Sequence, residues 1–153
     1  NNTTGAYCWY LNSYELFALN YGALYNFYCI DYQSNGNRNI CPVGWHVPLD
    51  SEWQTLVSYL GTNAGGKLKQ TGSQLWNKPN VGATNQTGFS AIPGGKRDNF
   101  GNFSTVCSYG IYWSFTSNFP LYGYNRTMYS TTSNIVRMMM SKQHGVSVRC
   151  IKD

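Results

Sequence analysis

Residues 50–60, DSEWQTLVSYL, constrain the fold most. Trp53, Leu56, Val57 and Leu60 fall at i, i+3, i+4 and i+7, so a helix here carries a single apolar stripe. Pro48 precedes the start, Asp50 or Ser51 can accept from the first free amides, and Glu52 favours the positive N-terminal end. Gly61 stands where a left-handed residue closes a helix. This is the clearest helix in the chain.

The rest reads as strand and loop around it. Near the N-terminus AYCWYLNSY alternates aromatic and polar residues, as a strand does. YGALYNFYCI, 21–30, could be helix or strand, and the spacing of Ala23, Leu24, Phe27 and Tyr28 favours a short helix. Residues 61–105 are rich in Gly and Asn and read as one long loop, which in a compact domain is uncommon and often functional. GIYWSFTS, TMYSTTSNIVRMMM and GVSVRCIK are β-branched or aromatic runs separated by turn residues. Neither a repeat nor a linker divides the chain, so residues 1–153 are expected to form one α+β domain.

Composition narrows the function classes. Only 11% of residues are charged and 16% are aromatic, with 13 tyrosines. Such a chain has ample apolar area to bury and stays soluble through neutral polar groups, a pattern of β-rich, loop-rich secreted domains. The formal charge is +5, but Lys67 and Lys69, Lys96 and Arg97, and Arg149 and Lys152 are scattered groups, not a nucleic-acid stripe, so no nucleic-acid partner is expected. No run of about 18 apolar residues exists to insert into a membrane. The chain begins at Asn1 without a methionine, which reads as a processed or excised piece. The five cysteines include no CxxC pair, so the expectation is two disulfides and one free thiol in an oxidising compartment.

CPVGWHVPLDSEW, 41–53, gathers Cys41, His46, Asp50 and Glu52 and could pass for a reactive site. A general base needs a partner and a cleft, and the simpler expectation is that His46 packs beside Trp45 and Pro48 with its ring hydrogen-bonded to backbone. His144 is the other histidine, and two histidines with six scattered acids make an unpromising metal set, so no metal or cofactor is expected.

NICPVGWHVPLDSEWQTLVSYLG, AGGKLKQTG, LWNKPNVGATNQTGFSAIPGGKRD, YWSFTS and GVSVRC, in that order, resemble the Fibrobacter succinogenes major paralogous domain, a secreted or surface module of Bacteroidetes and Fibrobacteres. The resemblance covers about Tyr21 to Asp153. It implies an extracytoplasmic module of the kind carried by lipoproteins and adhesin-like surface proteins, with no established catalytic residues. HVPLDSEWQTL is also similar to the RLPTEAEWEYA helix of formylglycine-generating enzyme relatives, and GVSVRC to their closing GFR strand. That likeness implies a C-type-lectin-like fold, with two helices, a small twisted antiparallel sheet, long ordered loops and termini that come together.

Two departures stand out. Leu49 replaces the usual capping serine, which passes capping to Asp50 or Ser51. Residues 118–144 keep little of the family wording, and MMM at 138–140 stands where alternating polar and aromatic residues are common. The lectin-like resemblance implies a Cys41–Cys150 disulfide, leaving Cys8 to pair with Cys29 and Cys107 unpaired. Calcium-dependent sugar binding is not expected, because the acids do not cluster and NKPN, 77–80, carries a lysine where a calcium ligand would be needed. The copper-binding cysteine pair of the formylglycine-generating enzymes has no counterpart, so no enzyme activity is expected.

The candidate contact residues lie in YGIYWSFTSNFPLYGYNRTMYSTTSNIVR. Trp113 is expected in the core. Tyr112, Phe119, Tyr122, Tyr124, Asn125, Arg126, Tyr129 and Arg137 are the candidate ligand-binding set, with Tyr122, Tyr124, Asn125 and Arg126 expected to be exposed. Three readings follow. One is an adhesion or binding module for a glycan or a surface protein. Another is the diversified receptor-binding protein of a diversity-generating retroelement, and the last a structural subunit of a surface fibre.

Overall fold

The computed structural model describes residues 3–153, apart from the side chains of residues 118 and 119. In chain order the elements are β1 (Tyr7–Trp9), α1 (Tyr14–Tyr21), β2 (Ala23–Tyr25), β3 (Trp45–His46), α2 (Asp50–Leu60), α3 (Ala64–Leu68), β4 (Lys96–Arg97), β5 (Phe103–Ser104), β6 (Tyr109–Phe119), β7 (Tyr122–Tyr129), β8 (Ile135–Ser141) and β9 (Ile151–Lys152). β6, β7 and β8 form an antiparallel meander, and β1–β2, β3–β9 and β4–β5 are antiparallel pairs. Among the described residues the architecture is mixed α and β, with three α-helices and several small antiparallel sheets.

β6 separates two cores, because successive side chains of a strand point to opposite faces. Tyr112 joins Trp53, Leu60, Leu68, Trp76 and Met128 on the side covered by α2 and α3. Ile111 and Trp113 join Phe27, Ile30, Val47 and Val146 on the other. Burying each large apolar side chain contributes about 1.5–3 kcal/mol, so these layers hold the sheet in place. Trp113 is the expected core residue, with its indole nitrogen donating to the Tyr25 carbonyl at 2.7 Å.

α2 forms where its apolar stripe predicts and ends at Gly61, whose N–H donates to the Val57 carbonyl. Its capping differs from expectation. Neither Asp50 nor Ser51 caps; the Glu52 carboxylate accepts from the Leu49 N–H at 2.7 Å, and the Asp50 N–H finds Thr116 Oγ1 at 3.0 Å. Asp50 is unavailable because its carboxylate is taken by two arginines.

Three further expectations are corrected. Residues 21–30 are not a helix: β2 is followed by one three-ten turn at Phe27–Cys29, and Leu24 pairs with Cys8 across β1–β2. A strand plus a tight turn buries Leu24, Phe27 and Tyr28 at a spacing that imitates a helical face. α1 was not foreseen, because its apolar residues are not gathered on one side; Leu16 and Leu19 are exposed, while half-buried Phe17 packs on Tyr10 and Tyr21. GVSVRCIK is a strand only at Ile151–Lys152, while Gly145, Val146 and Ser147 make single bridges to Arg97, Tyr25 and Tyr112.

The 61–105 stretch contains α3, β4 and β5 and is ordered by inward-facing polar groups. Buried Lys69 donates from Nζ to the carbonyls of Val81, Tyr129 and Thr132, each at 2.9 Å, tying the stretch to the end of β7. In α3, Gly65 lies against the Asn134 carbonyl and Gly66 against that of Gly82, so neither position has room for a Cβ.

Candidate functional site

The site is built on the β6–β8 meander. Tyr122, Tyr124 and Arg126 alternate on one face of β7, where they pair with Ser141, Met139 and Arg137 of β8. At one end this face is covered by the start of α2. There Arg126 Nη2 donates to Asp50 Oδ1 at 2.8 Å and to its backbone carbonyl at 3.2 Å, and Nη1 reaches Gln54 Oε1 at 3.4 Å. The other end is open. Pro120, Leu121, Tyr122 and Met139 line a depression of about 540 Å³ at the hairpin tip, with Leu121 64%, Tyr122 46% and Met139 50% exposed. Between the two ends stands Arg137. Its guanidinium lies 3.6 Å from the Tyr124 ring centre, and its Nε donates to Asp50 Oδ2 at 2.7 Å. The open end thus combines an apolar and aromatic platform with an oriented positive charge. It can hold a ligand by contact area and charge.

The structure divides the expected contact residues. Tyr122, Tyr124 and Arg137 come together on the open end. Arg126 is 2% exposed because α2 lands on it, so it is a strut and not a contact residue. Asn125 points to the opposite face and is buried, donating to the Met138 carbonyl and accepting from Thr127 Oγ1. Tyr112 is buried beside Trp53 and Phe89, with its hydroxyl bonded to the Ile92 amide and carbonyl. Tyr129 belongs to the Asn125 face, packed edge-on to Tyr109 at 4.7 Å. The Phe119 side chain lies outside the described residues. Leu121 and Met139 were missed; the MMM run was the one sequence signal for the latter.

The family model described as the Fibrobacter succinogenes major domain matches residues 1–152. The chain belongs to that family. No curated protein and no solved structure matches it.

In this Fibrobacter major domain the stretch that resembles a reactive site is an anchor for the C-terminal segment. Cys41 and Cys150 form the expected disulfide, and β9 pairs with β3 beside it. His46 bonds to two carboxylates and not to backbone: Nδ1 lies 2.6 Å from Asp153 Oδ1 and Nε2 3.0 Å from Glu52 Oε1. Asp153 and then Glu52 raise its pKa by favouring the imidazolium. Each ring nitrogen faces a carboxylate oxygen, so the ring ties the start of α2 to the segment after β9. Among the described residues no group of three His, Cys, Asp or Glu could hold a metal ion.

Cys8 and Cys29 are not bonded to each other; with Cys107 they are free thiols. Cys8 faces the small cavity beside Arg97 and Gln143, whereas Cys29 donates to the Ala6 carbonyl and packs at the margin of the Phe27 core. Cys107 lies 3.3 Å from the Tyr21 hydroxyl. A second apolar cleft, of about 300 Å³, runs between α2 and β9 past Trp45, Leu56 and Phe89. Its Arg149 is already engaged, stacked on Phe89 and bonded to the Phe89 carbonyl.

Proposed function

We propose that this domain is a non-catalytic, extracytoplasmic binding or adhesion module that recognises a glycan or a surface protein through the open end of the β6–β8 face. The observation that carries the reading is the cluster of Leu121, Tyr122, Tyr124, Arg137 and Met139. It is a contiguous apolar and aromatic surface with an oriented guanidinium, and contiguous patches of this kind mark interaction sites. A disulfide supports a location outside the cytoplasm, and among the described residues no helix is long and apolar enough to cross a membrane. A C-type-lectin-like arrangement is supported by the return of β9 to the strand ahead of the main helix and by the long ordered middle segment.

The test is an array of bacterial-surface glycans and proteins probed with the intact domain and with a Leu121→Ser, Tyr122→Ala, Met139→Ser variant. Loss of capture with an almost unchanged thermal midpoint is the expected result. Undiminished capture by the variant would place the binding surface elsewhere.

A second reading, a diversified receptor-binding protein, is favoured by one feature. Leu121, Tyr122, Arg137, Met138 and Met139 are exposed on a frame of buried neighbours, so they can be exchanged with little cost to the cores. A nearby near-identical repeat of the coding segment, differing at adenines, would decide for it; its absence leaves the first reading.

A further inference from the structure

The open hairpin face also carries a chemical preference, an inference that rests on the binding reading above. The depression is lined by Pro120, Leu121, Tyr122 and Met139. Their side chains offer carbon, one thioether and one phenolic hydroxyl, with no amide, carboxylate or ammonium among them. A sugar ring presents hydroxyls around its rim and requires polar side chains to replace their water. An apolar protein side chain requires none, and methionine adapts its shape to such partners. The lining therefore favours a protein ligand over a glycan.

The charge beside the depression narrows the ligand further. Arg137 shares a face of β8 with Met139, two residues on. Its guanidinium is held on its flat side by Tyr124 at 3.6 Å and at Nε by Asp50 at 2.7 Å, and its side chain is still 45% exposed. A guanidinium has five N–H donors, so one bond to Asp50 leaves an edge for a second carboxylate. Among the described residues no other carboxylate pairs with it. Asp50 is also the partner of Arg126, so two guanidiniums share one carboxylate and a positive charge is left over, in a chain whose formal charge is +5.

We propose that this face binds a protein ligand that presents a Leu or Phe side chain next to a carboxylate. The apolar side chain enters the Leu121–Met139 depression and the carboxylate takes the free edge of Arg137.

The experiment uses short synthetic peptides with a central Leu or Phe flanked by Glu, Gln or Lys, beside a panel of neutral and uronic-acid oligosaccharides. These are probed with the whole domain and with Arg137→Gln, Arg137→Lys and Leu121→Ser/Met139→Ser variants whose thermal midpoints are measured in parallel. The expected result is that Glu peptides bind about tenfold more tightly than their Gln counterparts at low salt, a preference that shrinks as salt rises. Arg137→Gln should level Glu with Gln while keeping the need for Leu or Phe, and Arg137→Lys should restore part of the preference. Leu121→Ser/Met139→Ser should lose all peptides. Equal capture of Glu and Gln peptides by the wild type, or a Glu preference that survives Arg137→Gln, overturns the proposal and leaves the binding face standing. Capture of oligosaccharides without peptides overturns the protein ligand alone. Capture of neither class overturns this proposal, while the binding reading stands or falls on the surface glycan and protein array.

Discussion

Arg126 Nη2 is bonded twice to Asp50, at 2.8 Å to the carboxylate and at 3.2 Å to the backbone carbonyl. The pair joins the middle of β7 to the first residue of α2, 76 positions away in sequence. Arg137 takes the other carboxylate oxygen from β8. One aspartate thus fixes the end of the helix, closes one end of the sheet face and orients the charge beside the open end.

Removing that aspartate strands a buried charge. Asp50→Ala is expected to destabilise the domain by about 3–5 kcal/mol, because Arg126 would stay buried without its counter-ion. Arg137→Ala, at an exposed position, should cost no more than about 1 kcal/mol. Urea unfolding of both variants checks the contrast, and equal costs would contradict it.

Burial pushes the pKa of Lys69 down from its ordinary 10.5 to about 8. Between those values the unfolded chain holds a proton that the folded chain has released, so this group's contribution to stability rises with pH across that window. The stability of the wild type relative to Lys69→Met should therefore move in the wild type's favour from about pH 8 to about pH 10. Denaturation series at several pH values measure the difference; a flat difference would mean that the lysine titrates normally.

His46 behaves in the opposite sense. Its pKa is raised above the ordinary 6.5 by Asp153 and Glu52. Its contribution is fully present below the unfolded value and is lost as pH rises through the raised folded value. The bond to Asp153 ties down the end of the chain beyond β9, so amide exchange at residues 151–153, corrected for its intrinsic pH dependence, should accelerate as pH rises through that range. In His46→Ala the corrected exchange should be fast at every pH.

The cysteine count is directly measurable. Denatured but unreduced protein should take up thiol reagent at three residues, Cys8, Cys29 and Cys107, and peptide mapping should recover Cys41 linked to Cys150. A single reactive thiol would restore the Cys8–Cys29 bridge. The 109-residue separation of the bonded pair predicts a loss of about 4–5 kcal/mol for Cys41→Ala/Cys150→Ala in the loop-entropy account.

Local signals were legible where the energetics are local. The 3.6-residue period of Trp53, Leu56, Val57 and Leu60 placed α2, and Gly61 marked its end. Where a residue's partner is remote, the signal failed or misled. α1 has no single stripe to read, since Leu16 and Leu19 face water while Phe17 packs inward on Tyr10. Leu24 and Phe27 looked helical because burial in a strand and in the following turn happened to fall three residues apart. Lys69 resembled an ordinary surface lysine, and only the three carbonyls around it reveal a strut.

The candidate site shows the same division. Its Tyr-, Asn- and Arg-rich composition located the hairpin, and the family resemblance pointed to the scaffold and to the disulfide between Cys41 and Cys150. Composition could not separate Tyr122 from Asn125, or Arg137 from Arg126. The two-residue period of β7 assigns Tyr122 and Arg126 to the same face, and only the landing of α2 makes one exposed and the other buried. Periodicity is a property of neighbouring residues and can be read from the chain. Burial is a property of whatever packs on top, and here that is a helix brought from 76 residues away.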